Sequence, residues 1–180
     1  ALLAGGVDVM EITFRTAAAA DSIKAVAENC PDMLVGAGTV TTPELVTRTR
    51  DAGGQFIISP DTNPAVIART RELELVSMPG AMTPSEILAA HAAGADLVKL
   101  FPAAALGPAY LKAVRSPISH VRIMAVGGIN EKNAAEFLKA GAVGLGVGGK
   151  LANRQWIADG AFEKITQTAQ ALVAAVRTAE

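Results

Sequence analysis

The residue that most needs a chemical explanation in this sequence is Lys99. It lies in the apolar run 97–102, Leu-Val-Lys-Leu-Phe-Pro, which is typical of a buried strand. Burial of an ammonium group costs free energy, but a desolvated lysine has a lowered pKa and becomes a nucleophilic amine. Leu97 and Phe101 share its face, which weakens the alternative that Lys99 reaches solvent from a strand end. The pattern favours a lysine that attacks a ketone to form a Schiff base.

A second group of polar residues lies in the apolar run 7–14. Strand alternation places Glu11, Thr13 and Arg15 on one face, together with Val7 and Val9, and it places Asp8, Met10, Ile12 and Phe14 on the other. One interpretation is a buried ion pair between Glu11 and Arg15. The functional interpretation is an acid/base group beside a binder of carboxylates. A carboxylate near Lys99 could move the protons that Schiff-base chemistry requires.

Two glycine pairs end the last two apolar runs: Gly127 with Gly128, and Gly148 with Gly149. Bare backbone N–H groups can hold a phosphate, and the phosphate site of a parallel barrel lies after its last two strands. The alternative is that these glycines only form tight turns. Their paired positions favour the phosphate site.

The elements that must position these residues form a repeat. Seven apolar runs are rich in Val, Ile and Leu, and each interval leaves room for one helix: 7–14, 34–40, 55–60, 75–80, 97–102, 122–128 and 143–149. Asn or Thr before proline marks three helix starts, and Ala-Gly pairs mark four helix ends. We expect one domain over residues 1–180, a (β/α)8 barrel without its first strand and most of its first helix; an open doubly wound sheet is the weaker alternative.

Composition excludes several classes of protein. The formal net charge is −1 with scattered charges, and no apolar run reaches the length of a membrane helix, so we expect neither nucleic-acid nor membrane binding. Cys30 is the one cysteine, which predicts a reducing cytoplasm. His91 and His120 show no metal-ligand spacing, and we expect both at the surface, with no metal and no cofactor.

Five motifs together resemble the 2-keto-3-deoxy-6-phosphogluconate (KDPG) / 4-hydroxy-2-oxoglutarate (KHG) aldolase family. They are Glu-Ile-Thr-Phe-Arg-Thr (11–16), Val-Gly-Ala-Gly-Thr-Val (35–40), Met-Pro-Gly (78–80), Val-Lys-Leu-Phe-Pro (98–102) and Val-Gly-Gly-Ile (126–129). The resemblance covers essentially the whole chain. It implies a cofactor-free class I aldolase that cleaves a 2-keto-3-deoxy sugar acid to pyruvate and an aldehyde, and usually a homotrimer. It also implies that an N-terminal helix, a first strand and most of the next helix precede Ala1.

The resemblance also assigns roles to individual residues. Lys99 would be the Schiff-base lysine and Glu11 the proton shuttle. Arg15 and Thr39 would bind the substrate carboxylate, and Pro79 and Phe101 would line the pocket. The phosphate would be held by Gly127, Gly128, Gly148 and Gly149. Many family members have threonine at position 126 and serine at position 149, so Val126 and Gly149 remove two hydroxyl donors, and Lys150 could restore some charge.

Other functions remain open from sequence alone. The residues around Val126 also resemble enzymes that act on 2-keto-3-deoxy-6-phosphogalactonate, whereas Arg15 resembles the phosphogluconate branch. A phosphosugar isomerase or epimerase could use Lys99 as an acid/base group. A non-catalytic assembly scaffold is the third alternative. Trp156 and the apolar last helix are suited to core or interface packing.

Overall fold

The computed structural model describes residues 1–149 and 151–178. Its contacts divide the chain into two compact units. We call Val9–Phe101 together with His120–Arg122 the lysine unit, because it contains Lys99. The glycine unit contains both glycine pairs and comprises Ala1–Asp8, Pro102–Ser119 and the described residues from Ile123 onward. That residues 1–180 form one domain remains a prediction from the sequence.

The lysine unit alternates parallel strands with helices, as the spacing of the apolar runs predicts. Its first four strands form a sheet in sequence order, and two further strands pair with each other. The strands are β1 (Val9–Thr13), β2 (Leu34–Gly38), β3 (Phe56–Ile58), β4 (Val76–Met78), β5 (Gly80–Ala81) and β6 (Val98–Leu100). The helices are α1 (Ala19–Asn29), α2 (Pro43–Asp51), α3 (Pro64–Glu72) and α4 (Pro84–Ala92).

Aliphatic side chains fill the space between β2, β3 and the first three helices. The buried members of this cluster are Ile23, Val35, Ala37, Val40, Val46, Ile57 and Val66. Ile12 and Phe14 pack against the same cluster. Full burial of an aliphatic side chain contributes about 1.5–3 kcal/mol, so this packing fixes which face of β1 is covered. The opposite face is left to Glu11 and Thr13.

Helix ends follow the predicted caps with one exception. Thr83 accepts a hydrogen bond from the Glu86 backbone N–H and forms a capping box with that residue. Thr42 also precedes a helix, but its side chain makes no capping hydrogen bond. Its hydrogen bond to the Glu44 carboxylate lowers the pKa of that group instead. Each of the four predicted helix ends contains a glycine with a left-handed φ angle, between 84° and 103°: Gly6, Gly53, Gly94 and Gly141.

The predicted run 75–80 forms two short strands, because Pro79 interrupts it. β4 pairs with β3, whereas β5 pairs with β6. Proline has no N–H and cannot donate to a sheet ladder. Its carbonyl oxygen instead accepts a hydrogen bond from the Lys99 backbone N–H, at 2.8 Å. The run therefore ties the four-stranded sheet to the strand that carries the lysine.

The glycine unit contains the remaining elements. β7 (Ile123–Val126) and β8 (Gly144–Gly146) pair in parallel. The helices are α5 (Ala103–Arg115), α6 (Ala134–Lys139), α7 (Arg154–Ala158) and α8 (Phe162–Arg177), with a short 3-10 helix at Leu3–Gly5. Gly107 interrupts α5 with a φ of 80°. A Cβ on Gly5 would overlap Ala169, so the 3-10 helix packs closely on α8.

The parallel βα repeat predicted from the sequence is confirmed, and each of the apolar runs contains a strand. β1 lies at the edge of its sheet, with β2 as its neighbour among the described strands, so the predicted barrel is not closed at β1. No helix within the described residues is long and apolar enough to cross a membrane.

Candidate active site

Lys99 is the middle residue of β6, and all three residues of that strand are buried. It is 7% exposed, and its Nζ lies 5.0 Å from the centroid of the Phe101 ring, within the range of a cation–π contact. Burial lowers the pKa of Lys99, and the negative charge of Glu11 opposes that shift. The neutral amine is therefore populated at lower pH than in a surface lysine, which makes Lys99 a better nucleophile.

Glu11 projects from β1 over a glycine of the adjacent strand. A Cβ on Gly38 would overlap Glu11 Oε1, so the carboxylate occupies the space that a side chain at position 38 would fill. Glu11 is an exposed residue overall, yet desolvation by the surrounding protein raises its pKa, with Lys99 and then Arg15 opposing. A carboxyl group with a raised pKa can both accept and return a proton closer to neutral pH.

Arg15 lies two residues beyond the end of β1. Its Nε donates a hydrogen bond to Thr13 Oγ1 at 3.3 Å. The ion pairs found within the described residues do not include one between Arg15 and Glu11, so the buried ion pair considered from sequence is not formed. The exposed guanidinium is suited to bind a carboxylate from solution.

Three other predicted site residues lie beside strands of the lysine unit. Thr39 directly follows β2 with a φ of 59°, a left-handed conformation that costs a β-branched residue about 1–3 kcal/mol. Such strain is concentrated at functional sites. Pro79 is buried just before β5, in which Gly80 pairs with Lys99. Phe101 follows β6 and is 40% exposed.

The two predicted glycine pairs have different structural surroundings. Gly127 and Gly128 have φ angles of 97° and 77°, and a Cβ on Gly128 would lie 2.5 Å from the Ala104 Cβ. The turn at 127–128 therefore requires glycine. By contrast, a Cβ on Gly148 or Gly149 would have no heavy atom of the described residues within 4 Å, apart from those of its chain neighbours. Space beside that second pair is open to a ligand.

Val126 and Lys150 are adjacent in sequence to the glycine pairs that are expected to hold the phosphate. The Val126 side chain packs on β8, with its Cγ2 2.8 Å from the position of a Cβ on Gly146. Lys150 lies outside the described residues. Among the described side chains around these loops, Asn133 donates from Nδ2 to the Gly128 carbonyl oxygen at 3.1 Å, which helps to hold the turn.

Both histidines are exposed, as the sequence predicts, but they are neighbours in space. The His91 and His120 rings pack edge to face with centroids 5.3 Å apart. Their sequence separation concealed this contact. Within residues 1–149 and 151–178, no group of three or more His, Cys, Asp and Glu side chains could hold a metal ion.

Sequence reasoning did not single out two residues that shape the site. Gly38 makes room for the Glu11 carboxylate, and Thr13 holds the Arg15 guanidinium. Strand alternation put Thr13 on the correct face but gave it no partner. For Gly38, a glycine inside a predicted buried strand was the available signal, because such glycines mark a close approach of another group.

The chain is similar in sequence to proteins of one known family. The family profile described as KDPG and KHG aldolase matches residues 1–168. The 2-dehydro-3-deoxy-phosphogluconate aldolase of Treponema pallidum is 40% identical over 172 residues, which cover 94% of this chain and 81% of that one. The KHG/KDPG aldolase of Escherichia coli is 37% identical, with 96% and 82% covered.

A solved structure is similar as well. The KDPG aldolase of Legionella pneumophila superimposes with a TM-score of 0.89 at 33% identity, covering 95% of this chain and 84% of that one. In that structure, pyruvate is captured as a covalent carbinolamine intermediate. Its fold belongs to the barrel class predicted from the sequence.

The parallel βα repeat with a buried lysine and a nearby carboxyl group defines a class of α/β enzymes suited to covalent carbonyl chemistry. Within that class, the profile match and the two relatives show that this chain belongs to the KDPG and KHG aldolase family. The family consists of carbon–carbon lyases.

Proposed function

We propose that this protein is a class I aldolase that cleaves 2-keto-3-deoxy-6-phosphogluconate to pyruvate and glyceraldehyde 3-phosphate. The observation that carries the proposal is the buried Lys99 with its lowered pKa, within electrostatic reach of Glu11. The names of the Treponema pallidum and Escherichia coli relatives support this substrate, and the second supports 4-hydroxy-2-oxoglutarate as a further one.

The chemistry begins at the Lys99 amine. Its lone pair attacks the C2 ketone of the substrate and forms a carbinolamine, which loses water to give a protonated imine. The captured pyruvate in the Legionella pneumophila relative supports a covalent intermediate of this kind. The Phe101 ring beside Nζ stabilises the cation that forms.

Glu11 carries the proton transfers in this proposal. Its carboxylate takes the proton of the C4 hydroxyl, the C3–C4 bond breaks, and the bonding electrons move into the imine to give an enamine. The aldehyde leaves, and the protonated Glu11 returns its proton to C3. Water then hydrolyses the imine and releases pyruvate. The raised pKa of Glu11 suits both directions of transfer.

The remaining predicted residues orient the substrate. Arg15 and Thr39 bind the carboxylate of the 2-keto acid, and Pro79 and Phe101 border the reacting carbon. We assign the phosphate to the backbone of Gly127, Gly128, Gly148 and Gly149. The open space beside the second pair supports this assignment.

Borohydride trapping tests the proposal. Pyruvate with borohydride is expected to add the mass of a reduced pyruvate adduct to a peptide that contains Lys99. Lys99→Ala is expected to abolish the adduct and to lower cleavage, coupled to pyruvate reduction, by at least about 10³-fold. Lys24→Ala is the matched control, because Lys24 is exposed on α1, where it pairs with Glu28.

The alternatives give different results in the same assays. A folded wild-type protein that forms no adduct and cleaves no substrate would contradict the aldolase and would favour an isomerase, an epimerase or a scaffold. Activity with the 6-phosphogalactonate analogue that exceeds activity with the gluconate would reassign the substrate.

We further propose a cytoplasmic homotrimer. Ile157 and Phe162 are 48% and 52% exposed, which leaves apolar surface on the glycine unit for contacts between subunits. Light scattering after size exclusion checks the trimer, and a monomeric mass would contradict it.

The proposed cytoplasmic location is supported by Cys30, which is a free thiol and fits a reducing compartment. Cell fractionation checks the compartment.

A further inference from the structure

We propose that Thr13 is a positioning residue that fixes how Arg15 presents its guanidinium to the substrate carboxylate. The inference rests on the proposed aldolase function, in which Arg15 binds that carboxylate. Thr13 itself would touch neither the reacting carbons nor the amine.

The geometry begins with the strand. Thr13 is the last residue of β1, and it pairs with Gly38 of β2. Strand alternation places it on the face of Glu11, which the core packing of Ile12 and Phe14 leaves uncovered. Its Oγ1 accepts the hydrogen bond from Arg15 Nε at 3.3 Å. One strand end thus carries both the proton shuttle and the holder of the guanidinium.

This hydrogen bond restricts how arginine can bind. A guanidinium offers a carboxylate either the Nε side with one Nη, or the two terminal Nη groups. Because Thr13 occupies Nε, the substrate carboxylate is left with the two Nη groups. Arg15 is exposed and follows the end of β1, so no strand pairing holds it in place. The hydrogen bond to Thr13 therefore fixes the orientation of the Arg15 guanidinium.

The hydrogen bond between Thr13 and Arg15 should affect only the binding of the substrate carboxylate. A ketone that carries a carboxylate benefits from a directed guanidinium, whereas a ketone without one gains nothing from it. Loss of the Thr13 hydroxyl should weaken the first kind of ligand and leave the chemistry at Lys99 intact. A purely structural role of Thr13 would affect both kinds equally.

The experiment compares borohydride trapping by pyruvate with trapping by hydroxyacetone, a carboxylate-free ketone, in Thr13→Val and Thr13→Ser. Valine keeps the shape and removes the acceptor, and serine restores it. In Thr13→Val, we expect the half-saturating pyruvate concentration to rise about 3- to 10-fold, with the maximal trapping rate and the hydroxyacetone reaction unchanged. Thr13→Ser should remain close to wild type.

Three outcomes overturn the inference. Unchanged pyruvate saturation in Thr13→Val shows that the hydroxyl does not position Arg15. An equal loss with both ketones that serine does not rescue shows a structural role. If pyruvate traps no adduct on the folded wild-type protein, the proposed aldolase function fails and the inference fails with it; trapping on wild type with no effect in Thr13→Val overturns the Thr13 proposal alone.

Discussion

Lys99 and the pair Gly148 and Gly149 are both expected to contact the substrate, yet they are built in opposite ways. Lys99 is a charged side chain forced into a buried strand, and neighbouring groups change its pKa. The two glycines are exposed backbone with open space where side chains would be. The first kind of site depends on close packing, and the second depends on its absence. Substitutions should therefore affect them in different ways.

Apart from the loss of Lys99 itself, the largest effect is expected at Gly38, where the Glu11 carboxylate packs closely on the backbone. In Gly38→Ala, the added methyl group would overlap Glu11 Oε1 and displace the carboxylate. We expect kcat/KM for cleavage to fall about 10²-fold while the protein stays folded, as for other small displacements of catalytic groups. Gly144→Ala is the control, because its Cβ would make an ordinary contact of 3.7 Å with Met124. Equal activities of the two variants would contradict the assignment of Glu11.

The second prediction separates the two glycine pairs by stability. Gly128→Ala forces alanine into a left-handed backbone and against Ala104, so it should destabilise the protein by about 1–3 kcal/mol. In the part of the chain that the structure describes, the methyl group of Gly148→Ala contacts nothing beyond its chain neighbours, so the unfolding free energy should change by less than about 0.5 kcal/mol. Urea denaturation measures both. A similar loss in the two variants would remove the contrast between the pairs.

The third prediction concerns pH. Because burial lowers the pKa of Lys99, its reaction with trinitrobenzenesulfonate should reach half its maximal rate below the pH found for surface lysines. The Glu11 charge raises the pKa of Lys99, so Glu11→Gln should move this midpoint to still lower pH. Glu28→Gln on α1 should leave it in place. A midpoint that stays in place or moves upward in Glu11→Gln would contradict the predicted electrostatic effect of Glu11 on Lys99.

The smallest effect is expected at the open loop. Gly149→Ser adds a hydroxyl donor where, among the described residues beyond its chain neighbours, no atom lies within 4 Å of a Cβ. The KM for the phosphorylated substrate should fall about 2- to 10-fold, the worth of one added hydrogen bond, while the KM for 4-hydroxy-2-oxoglutarate should not change. If both KM values change together, the loop does not contact the phosphate.

Much of the fold could be predicted because it depends on local patterns. Apolar runs, proline after Thr or Asn, and Ala-Gly pairs located the strands and helix ends, since each acts through the backbone of a few residues. The division of the run 75–80 at Pro79 was missed, because pairing with two different neighbours is a property of the sheet.

The site was predictable to a different degree. Lys99 was apparent because a charge within an apolar strand needs an explanation. Thr39 came only from resemblance, since its strained φ is visible only in the folded chain. Gly38 and Thr13 act through contacts with Glu11 and Arg15, and nothing in their own sequence positions names those partners.

The stretch around Pro79 also links two amide protons that lie far apart in sequence. Met78 O accepts from Ser59 N at 3.3 Å, and Pro79 O accepts from Lys99 N at 2.8 Å. The two acceptors are carbonyls of adjacent residues, so one local opening of this stretch exposes both donors to solvent. The backbone amide of Lys99 should therefore exchange hydrogen at a rate similar to that of the Ser59 amide. That rate would report on local opening around β6.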